Sequence, residues 1–391
     1  MKQEEAKKTV LVVDDAPANI RTVNEILHNT YKVKIATNGE KGLELARSEP
    51  GPDLILLDVV MPGMDGYEVC TRLKADPATR DIPVLFLTGQ TESTDETRGF
   101  EVGAVDYIHK PFSPAVVAAR VQTHLMLRET REKLARQLAA IRSELETARQ
   151  IQLSILPQTT PAVAGLEIAA RYIPMTSVAG DFYDFVVVDE KRIGVLVADV
   201  SGHGMPAALI ASMLKIAFAA QAEHASDPAR VLSGLNQALC GKFQRHYVTA
   251  AYALIDTERR SVCYAGAAHP PLLLYEKASG KARSIVENGL FLGYFPKASY
   301  AAVEVPFQAG DSLLFYTDGI VEMPDKADEP FGEERLKLFL EEHADLSPAV
   351  LVDGLLEYLK GWGGRSTEDE ADDDVTVVSV HYRCSGTQAP L

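Results

Sequence analysis

The chain has 391 residues and a formal net charge of −16, from 39 Lys and Arg against 55 Asp and Glu. Hydrophobic residues make up 46% of it, which is enough for two or three folded domains and excludes wholesale disorder. The acidic balance argues against broad nucleic-acid binding, and four scattered cysteines with no CxxC spacing argue against a disulfide scaffold or a structural zinc site.

The N-terminal sequence MKQEEAKKTVLVVDD has only a short apolar run, which Asp14 ends, so we expect no signal peptide. No apolar stretch reaches the ~18 residues that a membrane span needs. We therefore expect a cytoplasmic protein with neither a membrane nor a nucleic acid as its partner.

The first ~120 residues alternate short apolar runs with helix-length segments such as 17–29 and 38–48. Runs such as LILL and VLFL are apolar throughout, which is typical of parallel strands covered on both faces. We predict a doubly wound α/β domain over residues 1–122, with ligands bound at the carboxyl ends of its strands. Its five predicted strands are Val10–Val13, Lys32–Ala36, Leu54–Leu57, Val84–Thr88 and Tyr107–His109.

Polar side chains stand at the ends of four of these strands. Their order along the chain is Asp14 and Asp15, then Asp58, Thr88 and Lys110. A lone Asp after a strand is usually a turn or helix-cap residue, but strand ends of one sense share an edge, so these side chains should converge. Clustered carboxylates favour Mg²⁺, and lysine and threonine donors suit phosphoryl oxygens. The set fits phosphorylation of Asp58, with a metal and Lys110 stabilising charge.

The segments LVVDD and DLILLDVVMPGMDGYEVC, the LT pair and the KP dipeptide closely resemble response-regulator receiver domains. The resemblance implies that Asp58 is the phospho-acceptor and that a histidine kinase or phosphotransfer protein lies upstream. It also implies that Asp14, Asp15, Asp58 and the Val60 carbonyl bind Mg²⁺. On activation, Thr88 would turn toward the phosphoryl group and Tyr107 would turn inward. Gly89 departs from the family's usual small non-glycine residue, which predicts a looser loop.

Residues 113–156 are predicted to form one long helix, which Pro157 and Pro161 end. From residue 123 its apolar positions follow a 4–3 spacing that fits about four heptads of coiled coil, here assigned to a linker over residues 123–156. A parallel homodimer is the expected arrangement, and a single helix packed against a domain is the alternative. The seam is Leu127, Arg131, Leu134, Leu138, Ile141, Leu145, Ala148, Gln152 and Ile155.

Residues 157–384 contain more strand-like runs than helical stretches, and residues 385–391 are expected to be a tail. The strand-like runs are LEIAARYI, RIGVLVADV, YVTAAYALID, SVCYAGAAH, PLLLYE, DSLLFYTDG and VTVVSVHY, and the helical stretches are 206–221, 228–243, 333–343 and 347–361. This pattern predicts an α+β domain of sheets flanked by helices.

Four acid-bearing turns, VAGDFYDF, VADVSGHG, YTDGIVE and DDDVTVV, adjoin these apolar runs. Each alone reads as a hairpin turn or a solvated loop. Together, carboxylates at the ends of core strands are costly unless they are paired or metal-bound, and no local Lys or Arg accompanies them. Two divalent cations that share a water can generate hydroxide and clamp a phosphate.

These four motifs in this order resemble the metal-dependent PPM, or protein phosphatase 2C-like, family, and within it the bacterial SpoIIE/RsbU branch. The segment ELETARQIQLSILP also resembles the helix-to-domain junction of that branch. The resemblance implies a β-sandwich flanked by helices, with two Mn²⁺ or Mg²⁺ ions between the sheets. It also implies that residues 157–384 are a serine/threonine phosphatase domain.

The resemblance implies that Asp199 bridges the two metals, with help from the Val200 carbonyl. Asp181, Asp318 and Asp373 would ligate metal directly or through water. Asp199 and Asp318 are the expected catalytic carboxylates. For the last ligand, Asp372 and Asp374 remain alternatives to Asp373. The supporting residues left open are Asp184, expected behind the ligands, His203, which either donates a proton or is structural, and His269, which either contacts the substrate or orients its loop.

The two halves together predict a two-component response regulator in which phosphorylation of Asp58 controls a phosphoserine/phosphothreonine protein phosphatase. The resemblance implies that the substrate is a STAS-type anti-sigma-factor antagonist in a partner-switching pathway. The alternative is a non-catalytic adaptor that binds a sigma-pathway partner through a phosphatase-like domain. A transcription regulator is disfavoured because residues 157–391 carry 19 basic against 32 acidic side chains and are mostly strands.

Overall fold

The computed structural model describes residues 7–89, 98–176, 178–243, 245–363 and 373–383. The chain forms two compact units, Met1–Ile141 and Arg142–Leu391. The boundary between them falls inside the long helix, within the predicted linker. The predicted tail lies outside the described residues. In the part of the chain that the structure describes, no helix combines the length and the apolar character that a membrane span requires.

The first unit is a five-stranded parallel sheet, as the sequence predicted, and the structure gives its strand order as β2-β1-β3-β4-β5. Strands β1, β3 and β4 are buried along their whole length because helices cover both faces of the sheet. Its elements are β1 (Thr9–Val13), α1 (Pro17–Leu27), β2 (Lys32–Ala36), α2 (Gly39–Ala46), β3 (Leu54–Asp58), α3 (Gly66–Ala75), β4 (Val84–Thr88) and β5 (Asp106–His109).

The long helix, α4 (Pro114–Ile155), begins within the first unit. Val117, Val121 and Leu125, spaced four residues apart, pack into the same core cluster as one face of the sheet. Asp106 at the start of β5 bonds Arg120 and His124 of α4, which ties the helix to the edge strand.

Four apolar seam side chains of α4 beyond Leu125 are exposed. Leu127, Leu134, Leu138 and Ile141 have 48–54% of their surface accessible. A continuous helix is therefore present as predicted, whereas pairing with a second helix stays a prediction. At Gln152 the structure differs from the heptad interpretation, because this seam side chain is buried against the second unit's own fold.

The second unit has two sheets, one mixed and one antiparallel. One has the order β13-β10-β9-β8-β7, with β14 paired to β10, and the other has the order β12-β11-β15-β16-β6. Its strands are β6 (Leu166–Ile173), β7 (Phe182–Val187), β8 (Arg192–Val200), β9 (Val248–Asp256), β10 (Ser261–Ala267), β11 (Leu272–Glu276), β12 (Lys281–Ile285), β13 (Asn288–Gly289), β14 (Val303–Pro306), β15 (Ser312–Tyr316) and β16 (Val375–Tyr382).

One apolar core takes side chains from the two sheets and from two helices, α5 (Met205–Ala219) and α6 (Pro228–Leu239). A second core lies on the other face of β11, β15 and β16 and is covered by α8 (Glu333–Glu342) and α9 (Pro348–Gly363). The short α7 (Asp318–Val321) follows β15. The layers are helix, sheet, sheet, helix, which places the ends of β8 and β15 in different sheets that share a core.

Candidate functional site

Three carboxylates meet at the carboxyl edge of the first unit's sheet. Asp14 and Asp15 follow β1 and Asp58 ends β3, and each offers an oxygen within 4.8 Å of the other two. Asp14 and Asp58 are buried, while Asp15 is exposed. The parallel register brings these strand ends together, as the sequence predicted.

Lys110 supplies the positive charge at this edge. Its Nζ lies 2.8 Å from Asp58 Oδ2 and 3.1 Å from Asp14 Oδ2. Burial raises the pKa of Asp58, and the neighbouring Asp14 raises it further, whereas Lys110 and the Val60 amide oppose that rise. One ammonium faces three carboxylates, so a divalent cation fits the remaining negative charge.

The other predicted residues of the first unit lie around this edge. Thr88 ends β4, next to the strand that carries Asp58, and is buried. Val60 is two residues beyond Asp58 and is 69% exposed. Tyr107 is buried, and its ring centroid is 5.8 Å from that of Phe86. The Tyr107 side chain is therefore turned inward in this structure.

Four carboxylates of the second unit come from both sheets. Asp181 directly precedes β7 and Asp199 lies near the end of β8, in one sheet. Asp318 follows β15 as the first residue of α7, and Asp373 precedes β16, in the other sheet. The sandwich thus brings together side chains that lie far apart in sequence. Asp372 lies outside the described residues.

These carboxylates interact strongly with one another. Burial raises the pKa of Asp199 to about 8, with further contributions from Asp318 and Asp373. Burial and Asp373 raise the pKa of Asp318 to about 6. Burial and then Asp199 hold the pKa of Asp181 well above its usual range.

None of these three shifts has a Lys or Arg among its main causes, so the described residues leave the negative charge without a cation. Buried acids of this kind suit hard divalent cations, which bind carboxylate and carbonyl oxygens. The carboxylate oxygens of this cluster lie further apart than those in the first unit. Among the described residues, only Asp14, Asp15 and Asp58 bring three ligand atoms within 4.8 Å of one another.

Asp373 and Asp374 occupy different environments. Asp374 is buried, and its two carboxylate oxygens accept hydrogen bonds from the Met175 amide at 2.7 Å and the Gly180 amide at 2.6 Å. Asp373 is exposed. The backbone amides therefore engage both oxygens of Asp374, which leaves Asp373 as the better placed of the two to bind a metal.

Two glycines allow the chain to approach closely at this site. A Cβ added to Gly180 would lie 2.7 Å from the Val200 carbonyl oxygen, and one added to Gly319 would lie 2.1 Å from the Asp374 carbonyl oxygen. No side chain fits at such distances. The glycines of VAGD and TDG thus hold Asp181 and Asp318 against the opposing strands.

Sequence reasoning missed Thr317. Its buried hydroxyl donates to Asp181 Oδ2 at 2.8 Å and accepts from the Thr376 amide at 2.9 Å. It therefore fixes one oxygen of Asp181 and joins the loop before β7 to β16. Its position directly before Asp318 in YTDG was the available signal.

The three residues left open are now placed. Asp184 pairs with Lys215 at 2.8 Å. His203 is exposed in the turn that follows β8. His269 is buried with Nδ1 2.8 Å from Thr249 Oγ1, and burial lowers its pKa to about 3, so it is neutral at pH 7. The burial of His269 favours a role in orienting its loop over contact with a substrate.

Gln152 of α4 contacts the loop that carries Asp181. Its Nε2 donates to the Ala179 carbonyl at 2.6 Å, and its Oε1 accepts from the Ala179 amide at 3.0 Å. The Gln152 side-chain amide therefore bonds both the N–H and the C=O of Ala179, as a neighbouring strand does in a sheet. The end of the long helix is therefore bonded two residues from a candidate metal ligand.

Comparison with known proteins matches both parts of the chain. Residues 10–122 match the response regulator receiver domain, and residues 189–383 match the family described as Stage II sporulation protein E (SpoIIE). The phosphoserine phosphatase RsbU of Bacillus subtilis (strain 168) is 28% identical over 245 residues, which cover 62% of this chain and 71% of RsbU.

Two further relatives resemble one part of the chain each. A probable cyclic di-GMP phosphodiesterase of Vibrio cholerae serotype O1 is 44% identical over 137 residues, which cover 35% of this chain and only 31% of that protein. The SiaA-PP2C domain of Pseudomonas aeruginosa superposes with a TM-score of 0.56 at 24% identity, over 64% of this chain and 99% of that domain. The latter similarity concerns the fold.

Proposed function

We propose, on the premise that this chain joins a response regulator receiver domain to a serine/threonine phosphatase domain of the SpoIIE family, that phosphorylation of Asp58 controls metal-dependent hydrolysis of a phosphoprotein. The observation that carries the proposal is the group of Asp181, Asp199, Asp318 and Asp373, drawn from two sheets and without a Lys or Arg partner among the described residues. A domain that had lost catalysis would have no reason to keep these costly carboxylates together.

Asp199, Asp181, Asp318 and Asp373, with the Val200 carbonyl, would hold two Mn²⁺ or Mg²⁺ ions. When bound, these ions supply an activated water and charge neutralisation for the phosphate. Asp199 and Asp318 are the catalytic carboxylates, and Thr317 orients Asp181. Exposed His203 lies in the turn after Asp199 and is free to meet a substrate.

In the receiver, Asp58 is the nucleophile toward the phosphoryl group of an upstream histidine kinase or phosphotransfer protein. Its carboxylate oxygen forms a bond to phosphorus while the bond to the donor's leaving group breaks. Lys110 neutralises the growing charge, Thr88 contacts the phosphoryl oxygens, and Asp14, Asp15 and the Val60 carbonyl would join Asp58 in holding Mg²⁺.

The substrate we propose is a phosphorylated anti-sigma-factor antagonist of the STAS type. RsbU is a phosphoserine phosphatase by name, and its similarity to this chain supports a phosphoprotein substrate. We expect the active form to be a homodimer joined through the exposed seam of α4, and phosphorylation to activate it.

The test is turnover of an aryl phosphate and a phosphoserine peptide by the full chain, with Mn²⁺ or EDTA, and with or without beryllofluoride as a mimic of the Asp58 phosphoryl group. We expect Mn²⁺-dependent turnover that Asp318→Asn abolishes and beryllofluoride increases. Asp328→Asn, at an exposed acid ten residues further along, is the matched control. Absence of both turnover and metal binding would favour an adaptor instead.

A further inference from the structure

A cluster of aromatic rings lies partly exposed on the second unit. The Tyr247 and Phe291 ring centroids are 4.4 Å apart, and Phe291 also contacts Tyr294 at 5.8 Å. Tyr294 is 57% exposed, Leu290 50% and Tyr247 40%. Contiguous apolar side chains of this size at a protein surface are typical of a binding site. We call Tyr247, Leu290, Phe291, Tyr294 and Phe295 the aromatic patch.

The aromatic patch adjoins the turn that follows Asp199. The Tyr247 amide donates to Ser201 Oγ at 2.9 Å, and the Ser201 amide donates to the Tyr247 carbonyl at 3.0 Å. In the sheet, Asp199 is opposite Thr249, two residues beyond Tyr247. A protein that covers the patch would therefore also reach the region of the candidate metal ligands.

The patch is held in place by backbone contacts. Asn236 of α6 accepts from the Gly293 amide at 2.9 Å and donates to the Phe295 carbonyl at 2.9 Å. The Leu292 and Val248 backbones bond each other in both directions. These bonds hold Val248 and residues 292–295 in place, and a preorganised surface lowers the entropy cost of association.

The charge of the patch is opposite to that of its domain. Segments 241–248 and 290–297 contain Lys242, Arg245 and Lys297 and no Asp or Glu, whereas residues 157–391 have a net charge of −13. All three cations are exposed, and no ion pair of the described residues includes them. Aromatic rings flanked by free cations suit an apolar surface with acidic side chains.

We infer that the aromatic patch, with Lys242, Arg245 and Lys297, is the docking surface for the phosphoprotein substrate, and that this substrate carries acidic and apolar side chains beside its phosphoserine. This inference rests on the proposed phosphatase activity and adds the chemical class of the substrate surface. The partner's apolar side chains cover Tyr294 and Leu290. Its acidic side chains meet the three cations, which also steer the approach to an otherwise acidic domain.

The test measures binding of two fluorescent peptides to the full chain by anisotropy. Both contain a non-hydrolysable phosphonate analogue of phosphoserine, flanked by Leu with Asp and Glu in one peptide and by Leu with Lys in the other. We expect the acidic peptide to bind at least about tenfold more tightly at low salt and to lose most of this advantage at high salt.

The variant Lys242→Glu/Arg245→Glu/Lys297→Glu should bind the acidic peptide about tenfold or more weakly, and Tyr294→Ser should weaken both peptides. The matched control is Arg230→Glu/Arg260→Glu/Lys326→Glu, three exposed cations elsewhere on the same unit. Equal binding of the two peptides, or equal effects of the two triple variants, would overturn the inference.

Light scattering on the same variants tests whether a second copy of the chain, and not the substrate, binds the aromatic patch. If the patch substitutions turned a dimer into a monomer and left peptide binding unchanged, the patch would be an interface between copies and the inference would be wrong. Turnover of an aryl phosphate by the unaltered chain is a separate readout. Absence of both this turnover and Mn²⁺ binding would refute the phosphatase proposal, while peptide binding would still report on the patch.

Discussion

Thr317 connects the two sides of the candidate metal centre. Its hydroxyl donates to Asp181 and accepts from Thr376, and no solvent reaches it. We expect Thr317→Val to weaken Mn²⁺ binding about 10- to 100-fold, because partners that orient a metal ligand contribute on that scale. Calorimetry and the Mn²⁺ dependence of turnover measure this, and Thr317→Ser should restore both. Unchanged Mn²⁺ affinity in Thr317→Val would contradict a positioning role.

Asp373 and Asp374 make a matched pair for a second prediction. Asn has one side-chain oxygen where Asp has two, so in Asp374→Asn either the Met175 or the Gly180 amide loses its acceptor, and we expect about 1–3 kcal/mol lower unfolding free energy in denaturant titrations. Asp373→Asn removes an exposed carboxylate, and we expect normal stability with lost metal-dependent turnover. The opposite assignment, with Asp374→Asn stable and inactive, would make Asp374 the ligand.

The same two residues show how far sequence alone reaches at this scale. The motifs predicted which turns carry the acids, because acids beside apolar runs are visible in any sequence. They left the last ligand open among Asp372, Asp373 and Asp374, since that choice depends on which carboxylate faces the Met175 and Gly180 amides. Those amides lie about 200 residues away along the chain and no local pattern encodes them. Thr317 escaped notice for the same reason.

At the scale of elements, the end of α4 bonds directly to the loop before β7. Replacing Gln152 with Ala would leave the Ala179 amide and carbonyl without partners in a buried site. We expect Gln152→Ala to lower metal-dependent turnover at limiting Mn²⁺ and to blunt the response to beryllofluoride, because Asp181 is two residues from the lost contact. Gln150→Ala is the control, since its side chain is exposed and bonds only Glu146 among the described residues. If the two variants behaved alike, the contact between Gln152 and Ala179 would not couple α4 to the loop that carries Asp181.

The sequence predicted the helices and strands whose buried residues recur at regular spacing. It did not predict the strands without such a spacing, nor the contact that Gln152 makes. The strands of the first unit, the long helix and the main strands and helices of the second were predicted within a few residues, because period-2 and period-3.6 patterns dominate there. Strand β7 was not among the predicted runs, and neither were the short strands β12, β13 and β14, whose residues are mostly half-exposed and lack such a pattern. Gln152 fits the heptad spacing, yet its side chain bonds Ala179 of its own domain. The spacing alone cannot tell whether such a residue contacts a second helix or its own domain.

At the scale of the whole molecule, the remaining question is what covers the exposed part of α4. Leu134 and Leu138 are each about half exposed, and neither belongs to a core cluster of its own chain. A stripe of large apolar residues on a helix costs free energy in water unless a second surface buries it. Two copies of the chain would bury both stripes at once with the heptad spacing already present. A receiver at one end and a phosphatase domain at the other would then share a single parallel helix pair.

This arrangement predicts that disrupting the seam abolishes both the dimer and the response to beryllofluoride. Leu134→Asp/Leu138→Asp places like charges where two helices would meet, so we expect a monomer by light scattering, with unchanged unfolding of each unit because both positions are exposed. Basal turnover should persist, since neither residue is near the carboxylates, whereas the beryllofluoride response should fall to the background level. Lys133→Asp/Ala139→Asp, on the flanking positions of the same helix, should remain dimeric and regulated. A seam variant that stayed dimeric, or a monomer that still responded to beryllofluoride, would mean that the signal reaches the phosphatase domain within one chain.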